Sequence, residues 1–229
     1  INILYSSYFD YLLNFENYLI KIFISMLMGL VFYIYGNKGN KKIEFHEQIL
    51  LIFVSYFILS LLISIPYYLS GYEISFIDAL FESYSGITGT GFSIFDDIKY
   101  LDPTLILWRS SSQWIGGLFF LIFLYLFFSN SQFNYKLNNI IYNNNKSLNP
   151  EINFKQTVTE IFFIYLILSI IIFSLFSLSG IRLFNSLNLS MTIISAGGFL
   201  PSNSLDLVVK NNLQQIILIF GFLISIFNI

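Results

Sequence analysis

The residues whose types could do chemistry form two short stretches, Thr88-Gly89-Thr90-Gly91-Phe92 and Ser195-Ala196-Gly197-Gly198-Phe199. Both are rich in glycine and small side chains, so what they offer a ligand is backbone carbonyl oxygen and hydroxyl. Successive carbonyls can share a direction only if some residues reach backbone angles closed to a side chain, which glycine supplies. Long apolar runs flank each stretch. Non-helical backbone sits at membrane depth only where it is buried in protein or lines a watery cavity. The pattern therefore reads as a re-entrant pore segment, in which a short helix dips into the bilayer and the returning loop turns its carbonyls toward passing ions. The expected ligands are the carbonyls of Thr88, Thr90, Gly91, Ser195, Gly197 and Gly198, assisted by the Thr88 and Thr90 hydroxyls. Carbonyl dipoles repay a small ion's hydration less readily, so a large, weakly hydrated cation is favoured, with potassium the candidate.

The second stretch is a copy of the first. Residues 185–199 lie on residues 78–92 without a gap, at a constant offset of 107 positions. Leu187, Ser190, Ile194, Gly198 and Phe199 then match Leu80, Ser83, Ile87, Gly91 and Phe92, and the flanking apolar spans keep the same order. A tandem repeat of span, dip and span is the strongest organising signal in the chain.

The dip helix over residues 76–87 would be about 18 Å long, roughly half the hydrocarbon thickness. Ser75-Phe76-Ile77-Asp78 has the form of a capping box that starts this helix on the outer side. Its C-terminal end, partly negative, then points to the membrane centre and favours a cation there. Glu82 within the dip and Arg109 in the next span are each expensive in a bilayer unless paired or hydrated. A Glu82–Arg109 pair supporting the filter is expected, against the plainer reading that Arg109 snorkels to the interface. Trp108 and Trp114 read as interfacial anchors, and Gly116-Gly117 as a site of close helix packing.

The elements that must position these groups are membrane helices. The chain is 56% hydrophobic and 20% aromatic, with only 10% charged residues, against about a quarter charged in a soluble domain. The fold class is thus an all-α membrane protein. With no cysteine, a disulfide framework and cysteine metal sites are excluded. A net charge of −2 gives no general attraction to nucleic acid. No catalytic nucleophile–base arrangement, phosphate-binding glycine loop or paired catalytic carboxylates occur, so the chain does not read as an enzyme. His46, the single histidine, is assigned no metal role. No cofactor is expected on this segment; potassium is the transported species.

Spans are expected over about residues 18–35, 48–69, 103–128 and 157–178, with a last one beginning near Asn212. Pro66 stands near the end of the second, where a lost backbone bond costs least, and Asp102 with Pro103 caps the third. The organisation is 1–44, an extra span and basic turn; 45–130, the first membrane–pore–membrane repeat; 131–156, a cytoplasmic linker; and 157–229, the second repeat. Three lysines lie in each of the stretches 36–47 and 129–156. Positive loops stay in the cytoplasm, so both dips enter from outside. Glu73, Asp96, Asp97 and Asp102 would then surround an outer vestibule and raise local cation concentration, or simply solvate a loop. The chain begins at Ile1 and ends in an apolar run, which reads as the N-terminal part of a longer protein.

Phe81-Glu82-Ser83-x-Ser85-Gly86-x-Thr88-x-Thr90-Gly91, followed by Leu107-Trp108-Arg109-Ser110-x-x-Gln113-Trp114-x-Gly116-Gly117, resembles the first repeat of the Trk/Ktr/HKT superfamily of potassium transporters. Ser195-Ala196-Gly197-Gly198-Phe199 is similar to its second filter, and the extra span at about 18–35 resembles the Trk-type pore subunit. The resemblance implies potassium uptake across a bacterial inner membrane, through four repeats around one pore with a filter glycine from each, here Gly91 and Gly198. It also implies third and fourth repeats beyond this segment, a homodimer, and a cytoplasmic nucleotide-binding regulatory subunit. Gly91 points to potassium, since relatives with serine there favour sodium. Gly89, where the family often has threonine, and Ala196, which removes a hydroxyl, depart from the pattern. The other reading within transport is a sodium-permeable or ion-coupled secondary transporter with broken helices.

Overall fold

The structure, a computed structural model, describes Tyr5 and residues 12–36, 45–129 and 150–227. In chain order the helices are α1 (Leu12–Gly36), α2 (Phe45–Tyr68), α3 (Phe76–Thr88), α4 (Pro103–Ser129), α5 (Pro150–Leu178), α6 (Leu183–Ile194) and α7 (Asn212–Phe227). Two short 3-10 turns, Ile98–Tyr100 and Leu205–Leu207, interrupt the loops that follow α3 and α6, and no strand occurs among the described residues. The stretches Glu16–Gly36, His46–Tyr68, Pro103–Phe127 and Gln156–Leu178 are long and apolar enough to cross a membrane. The chain is an all-helical, multi-pass membrane protein. The lysine-bearing turns on which the orientation rests fall largely at 37–44 and 130–149, outside the described residues.

Local chemistry sets the helix ends. At α3 the Ser75 hydroxyl accepts from the Asp78 N–H at 3.2 Å, and the Asp78 carboxylate accepts the Ser75 hydroxyl proton at 2.7 Å. The Ser75–Asp78 box thus closes on itself, side chain to side chain, rather than through the Ser75 backbone N–H. At α4 the Asp102 carboxylate accepts from the Thr104 N–H (2.8 Å) and hydroxyl (2.9 Å), leaving Pro103 where no N–H is needed. At α7 the Gln214 side-chain oxygen accepts from the Lys210 and Asn211 N–H groups, while its amide donates to the Ser179 carbonyl and ties the helix to the end of α5.

The two cores form on either side of α4. One gathers Tyr18, Ile63, Tyr67, Ala79, Ile87, Leu105 and Trp108 from α1 to α4. The other gathers Tyr165, Ile172, Phe176, Leu189, Ile193 and Val209 from α5, α6 and the loop before α7. Polar groups tie the helices within these cores. Tyr18 donates to the Thr104 carbonyl (3.0 Å), Trp108 to the Ile63 carbonyl (3.1 Å) and Trp114 to the Ser169 hydroxyl (2.9 Å). The tryptophans expected as interfacial anchors are therefore helix-to-helix ties, because an indole N–H away from water needs a protein acceptor.

Candidate functional site

Both dip helices end in the same way. The Ser85 carbonyl accepts from Thr90 N–H and the Gly86 carbonyl from Gly89 N–H, each at 3.1 Å. In the second copy the Thr192 carbonyl accepts from Gly197 N–H (2.9 Å) and the Ile193 carbonyl from Ala196 N–H (3.0 Å). This nested pair of bonds is a Schellman cap, which requires a left-handed residue at its corner. Gly89 (φ 68°) and Ala196 (φ 51°) are those residues. Two positions on, Gly91 (φ 76°) and Gly198 (φ 83°) are left-handed again. A side-chain brace repeats as well, the Ser85 hydroxyl donating to the Phe92 carbonyl (2.5 Å) and the Thr192 hydroxyl to the Phe199 carbonyl (2.8 Å). The 107-residue offset thus relates backbone, caps and braces, far more than the few identical side chains showed.

The two turns lie against one another. A β-carbon built on Gly91 would stand 2.6 Å from the Gly197 carbonyl oxygen, and one on Gly89 3.6 Å from the Ser195 carbonyl oxygen. Thr88, Thr90, Ala196 and Gly198 are exposed, whereas Gly197 and Phe199 are buried. The last residues of the copies differ most, Phe92 being 69% exposed and Phe199 1%. Two helix C-termini deliver their partial negative charge to this one place.

Three of the named groups have protein partners of their own. The Thr88 hydroxyl donates to the Tyr84 carbonyl (2.6 Å) and lies 2.7 Å from the Thr90 hydroxyl. The Thr90 hydroxyl also lies within 3.4 Å of the Ser85 carbonyl, so both hydroxyls give their protons to their own helix end and keep their lone pairs free to accept. The third is Gly197, expected as a carbonyl ligand. Its carbonyl is turned onto Gln113, whose side-chain amide donates to it at 2.5 Å.

Glu82 and Arg109 are paired, Arg109 Nε lying 2.8 Å from Glu82 Oε1, with both side chains at most 1% exposed. Arg109 does not snorkel. Glu82 Oε2 accepts from the Ile94 N–H (2.9 Å), and Oε1 also accepts from the Ser93 hydroxyl (3.1 Å), which in turn accepts from Arg109 Nη2 (3.0 Å). The guanidinium lies over the Phe199 ring at 4.3 Å. One ion pair thereby fixes the segment leaving the first turn and the aromatic that closes the second.

Helix α4 supplies the common wall. A β-carbon on Gly116 would meet the Ile87 carbonyl oxygen at 2.1 Å, and one on Gly117 would meet Ser195 Cβ at 2.8 Å. Consecutive glycines thus let α4 approach the end of α3 and the end of α6 together. Gln113, Ser85, Thr192 and Ser93 were given no role from sequence. Gln113 does stand in the motif between Arg109 and Gly116, and Ser85 and Thr192 occupy equivalent positions in the two copies.

Outside the turns, an open cleft of about 430 Å³ is lined by Tyr72, Asp78, Asp96, Asp97 and Tyr100, among others. Most of the acids around it hold structure. Asp97 accepts from the Asn203 amide (2.6 Å), and the Asn203 oxygen accepts from the Ile98 and Lys99 N–H groups, clamping the loop after α3 to the loop after α6. Burial raises the Tyr72 phenol above its ordinary pKa, and the bond it accepts from the Asp102 N–H opposes that shift.

These features define a class: a helical membrane protein of tandem span–dip–span repeats, whose two dips end side by side in carbonyl-rich turns. Residues 15–228 match the family model described as TrkH, cation transport protein. The chain belongs to this family, a family of transporters and not of enzymes. An uncharacterized cation transporter of Methanocaldococcus jannaschii is 32% identical over 184 residues, covering 78% of this chain and 38% of that protein. The Trk system potassium uptake protein TrkH of Halomonas elongata is 28% identical over 104 residues, covering 45% of this chain and 22% of that one. The crystal structure of the potassium transporter TrkH from Vibrio parahaemolyticus matches with a TM-score of 0.77 at 20% identity, over 97% of this chain and 45% of that one. The chain spans less than half the length of each of these relatives.

Proposed function

We propose that this chain supplies half of a potassium-uptake pore, in which the backbone oxygens of the 88–92 and 195–199 turns select the ion. The observation that carries the reading is the abutment of two turns with the same left-handed corners and exposed residues on both. The oxygens proposed as ligands are those of Thr88, Thr90, Gly91, Ser195 and Gly198, with the partners missing from this half coming from third and fourth repeats of the same full-length protein. Selection needs no covalent step. It comes from the number and field strength of the carbonyl dipoles that replace water around the ion. Relatives named for potassium uptake support the choice of ion, and the family resemblance supports a bacterial cytoplasmic membrane, a homodimer and a cytoplasmic nucleotide-binding subunit.

The test is uptake by the full-length transporter in a bacterial strain lacking its own potassium uptake. The Gly91→Ser variant forces a side chain into a left-handed residue and against the Gly197 carbonyl. The strain is about 1–3 kcal/mol, and pushing the Gly197 carbonyl and the Gly91 peptide out of place is expected to lower potassium uptake relative to sodium. Uptake and potassium-over-sodium preference that survive Gly91→Ser would refute the reading.

A further inference from the structure

Gln113 lies on α4, in the first repeat, yet every hydrogen bond of its side chain reaches the second. Its Nε2 donates to the Gly197 carbonyl (2.5 Å), and its Oε1 accepts from the Phe199 N–H (3.1 Å) and lies 3.1 Å from the Thr192 hydroxyl, whose single proton it shares with the nearer Phe199 carbonyl. The side chain is fully buried. A backbone N–H can only donate, so the Phe199 contact fixes which end of the amide is oxygen and leaves Nε2 for Gly197. Gly197 is glycine for the same reason, since a β-carbon there would overlap the Gln113 amide at 2.3 Å. The equivalent residue of the first copy is Thr90. It is exposed, and no hydrogen bond to its carbonyl occurs among the described residues. At one level of two otherwise matching turns, the first copy therefore has an open carbonyl and the second has one bound to the scaffold.

We propose that Gln113 is a positioning residue for ion discrimination: by holding the Gly197 carbonyl on the scaffold, it makes the two turns present unequal oxygen sets, and this inequality sets the preference among alkali cations. The proposal rests on the filter reading above. Discrimination depends on how many carbonyl dipoles face the ion and how firmly they are held. Releasing the Gly197 peptide adds a loosely held oxygen and removes two bonds that steady Phe199 and Thr192.

The experiment uses the full-length transporter and compares uptake of potassium, rubidium and sodium, each as kcat/KM, for wild type, Gln113→Met, Thr192→Val and Gly91→Ser. Methionine keeps the volume of glutamine and makes none of the three bonds. The ratio between cations is the informative quantity, because a residue that only supports the fold lowers all three uptakes together. Gln113→Met is expected to change the potassium-to-sodium ratio about three- to tenfold, the worth of one net hydrogen bond. Thr192→Val leaves the Nε2–Gly197 bond in place but removes the brace on the Phe199 carbonyl, and is expected to change the ratio less than Gln113→Met does; an equal or larger change would overturn the role given to the Gly197 bond. An unchanged ratio in Gln113→Met overturns the proposal, whether total uptake is high or low. Failure of that variant to run as a folded species on size exclusion also overturns it, since Gln113 would then serve the fold. If Gly91→Ser shifts the ratio and Gln113→Met does not, only this proposal falls; if neither shifts it, the filter reading falls with it.

Discussion

Replacing Glu82 by glutamine keeps the shape of the side chain and removes the charge opposite Arg109. The two carboxylate oxygens have separate duties, Oε1 accepting from Arg109 Nε and Ser93 and Oε2 from the Ile94 N–H. An amide has one oxygen, so its NH2 must face either the guanidinium or the Ile94 N–H, donor against donor. Arg109 keeps its place over Phe199 but becomes a buried charge without a counterion. Removing one partner of a buried pair costs about 3–5 kcal/mol. The low end applies here because Ser93 and the amide oxygen still accept, which leaves about 3 kcal/mol. For 150–250 residues 1 kcal/mol moves the unfolding midpoint by about 2–4 °C, and for a full-length protein about twice as long by about half that, so Glu82→Gln should lower it by about 3–6 °C. Thermal unfolding of the detergent-solubilised full-length transporter, followed by tryptophan fluorescence, reads the shift. Trp108 adjoins Arg109 and makes the probe local. Arg109→Met should cost a comparable amount, and the double variant less than the sum by about 0.5–3 kcal/mol. A Glu82→Gln midpoint within about 2 °C of wild type, or strictly additive losses, would refute the claim that this pair holds the two turns.

Ala196 adopts a left-handed corner at φ 51°, so Ala196→Gly should relieve about 1 kcal/mol and raise the same midpoint by about 1–2 °C; a fall would show that the corner is not strained. Gly116→Ala puts a carbon 2.1 Å from the Ile87 carbonyl oxygen, and should cost about 1–3 kcal/mol with a marked loss of uptake. Gly71→Ala, where nothing lies within 4 Å, should leave uptake near wild type, and equal losses in the two variants would count against close packing at α4.

The spans and dips were legible because hydropathy and capping act within a few residues. The stretch expected at 103–128 is found as Pro103–Ser129, and the dip helix expected at 76–87 as Phe76–Thr88. The Glu82–Arg109 pair could be anticipated because two charges at membrane depth need a reason to be there. What the residues did not announce were contacts made between distant segments. The Gln113–Gly197 bond spans 84 positions and the Asn203–Asp97 clamp 106, and neither amide carries a periodic or charge signature. Where the Thr88 and Thr90 protons go was not legible either: a hydroxyl near a helix end has several carbonyls within reach, and the ones taken are those of Tyr84 and Ser85.

The N-terminal portion of α4, residues 104–113, is buried throughout, while residues 117–127 are only partly covered. Gly116 and Gly117 mark the boundary, wedged on one side by Ile87 and on the other by Ser195. Above that boundary the helix works as a keystone between two arches, and neither turn can shift without displacing the other. Strain placed on either turn is therefore felt at the other through α4, whereas residues 117–127 of the same helix have less protein around them to hold them in place.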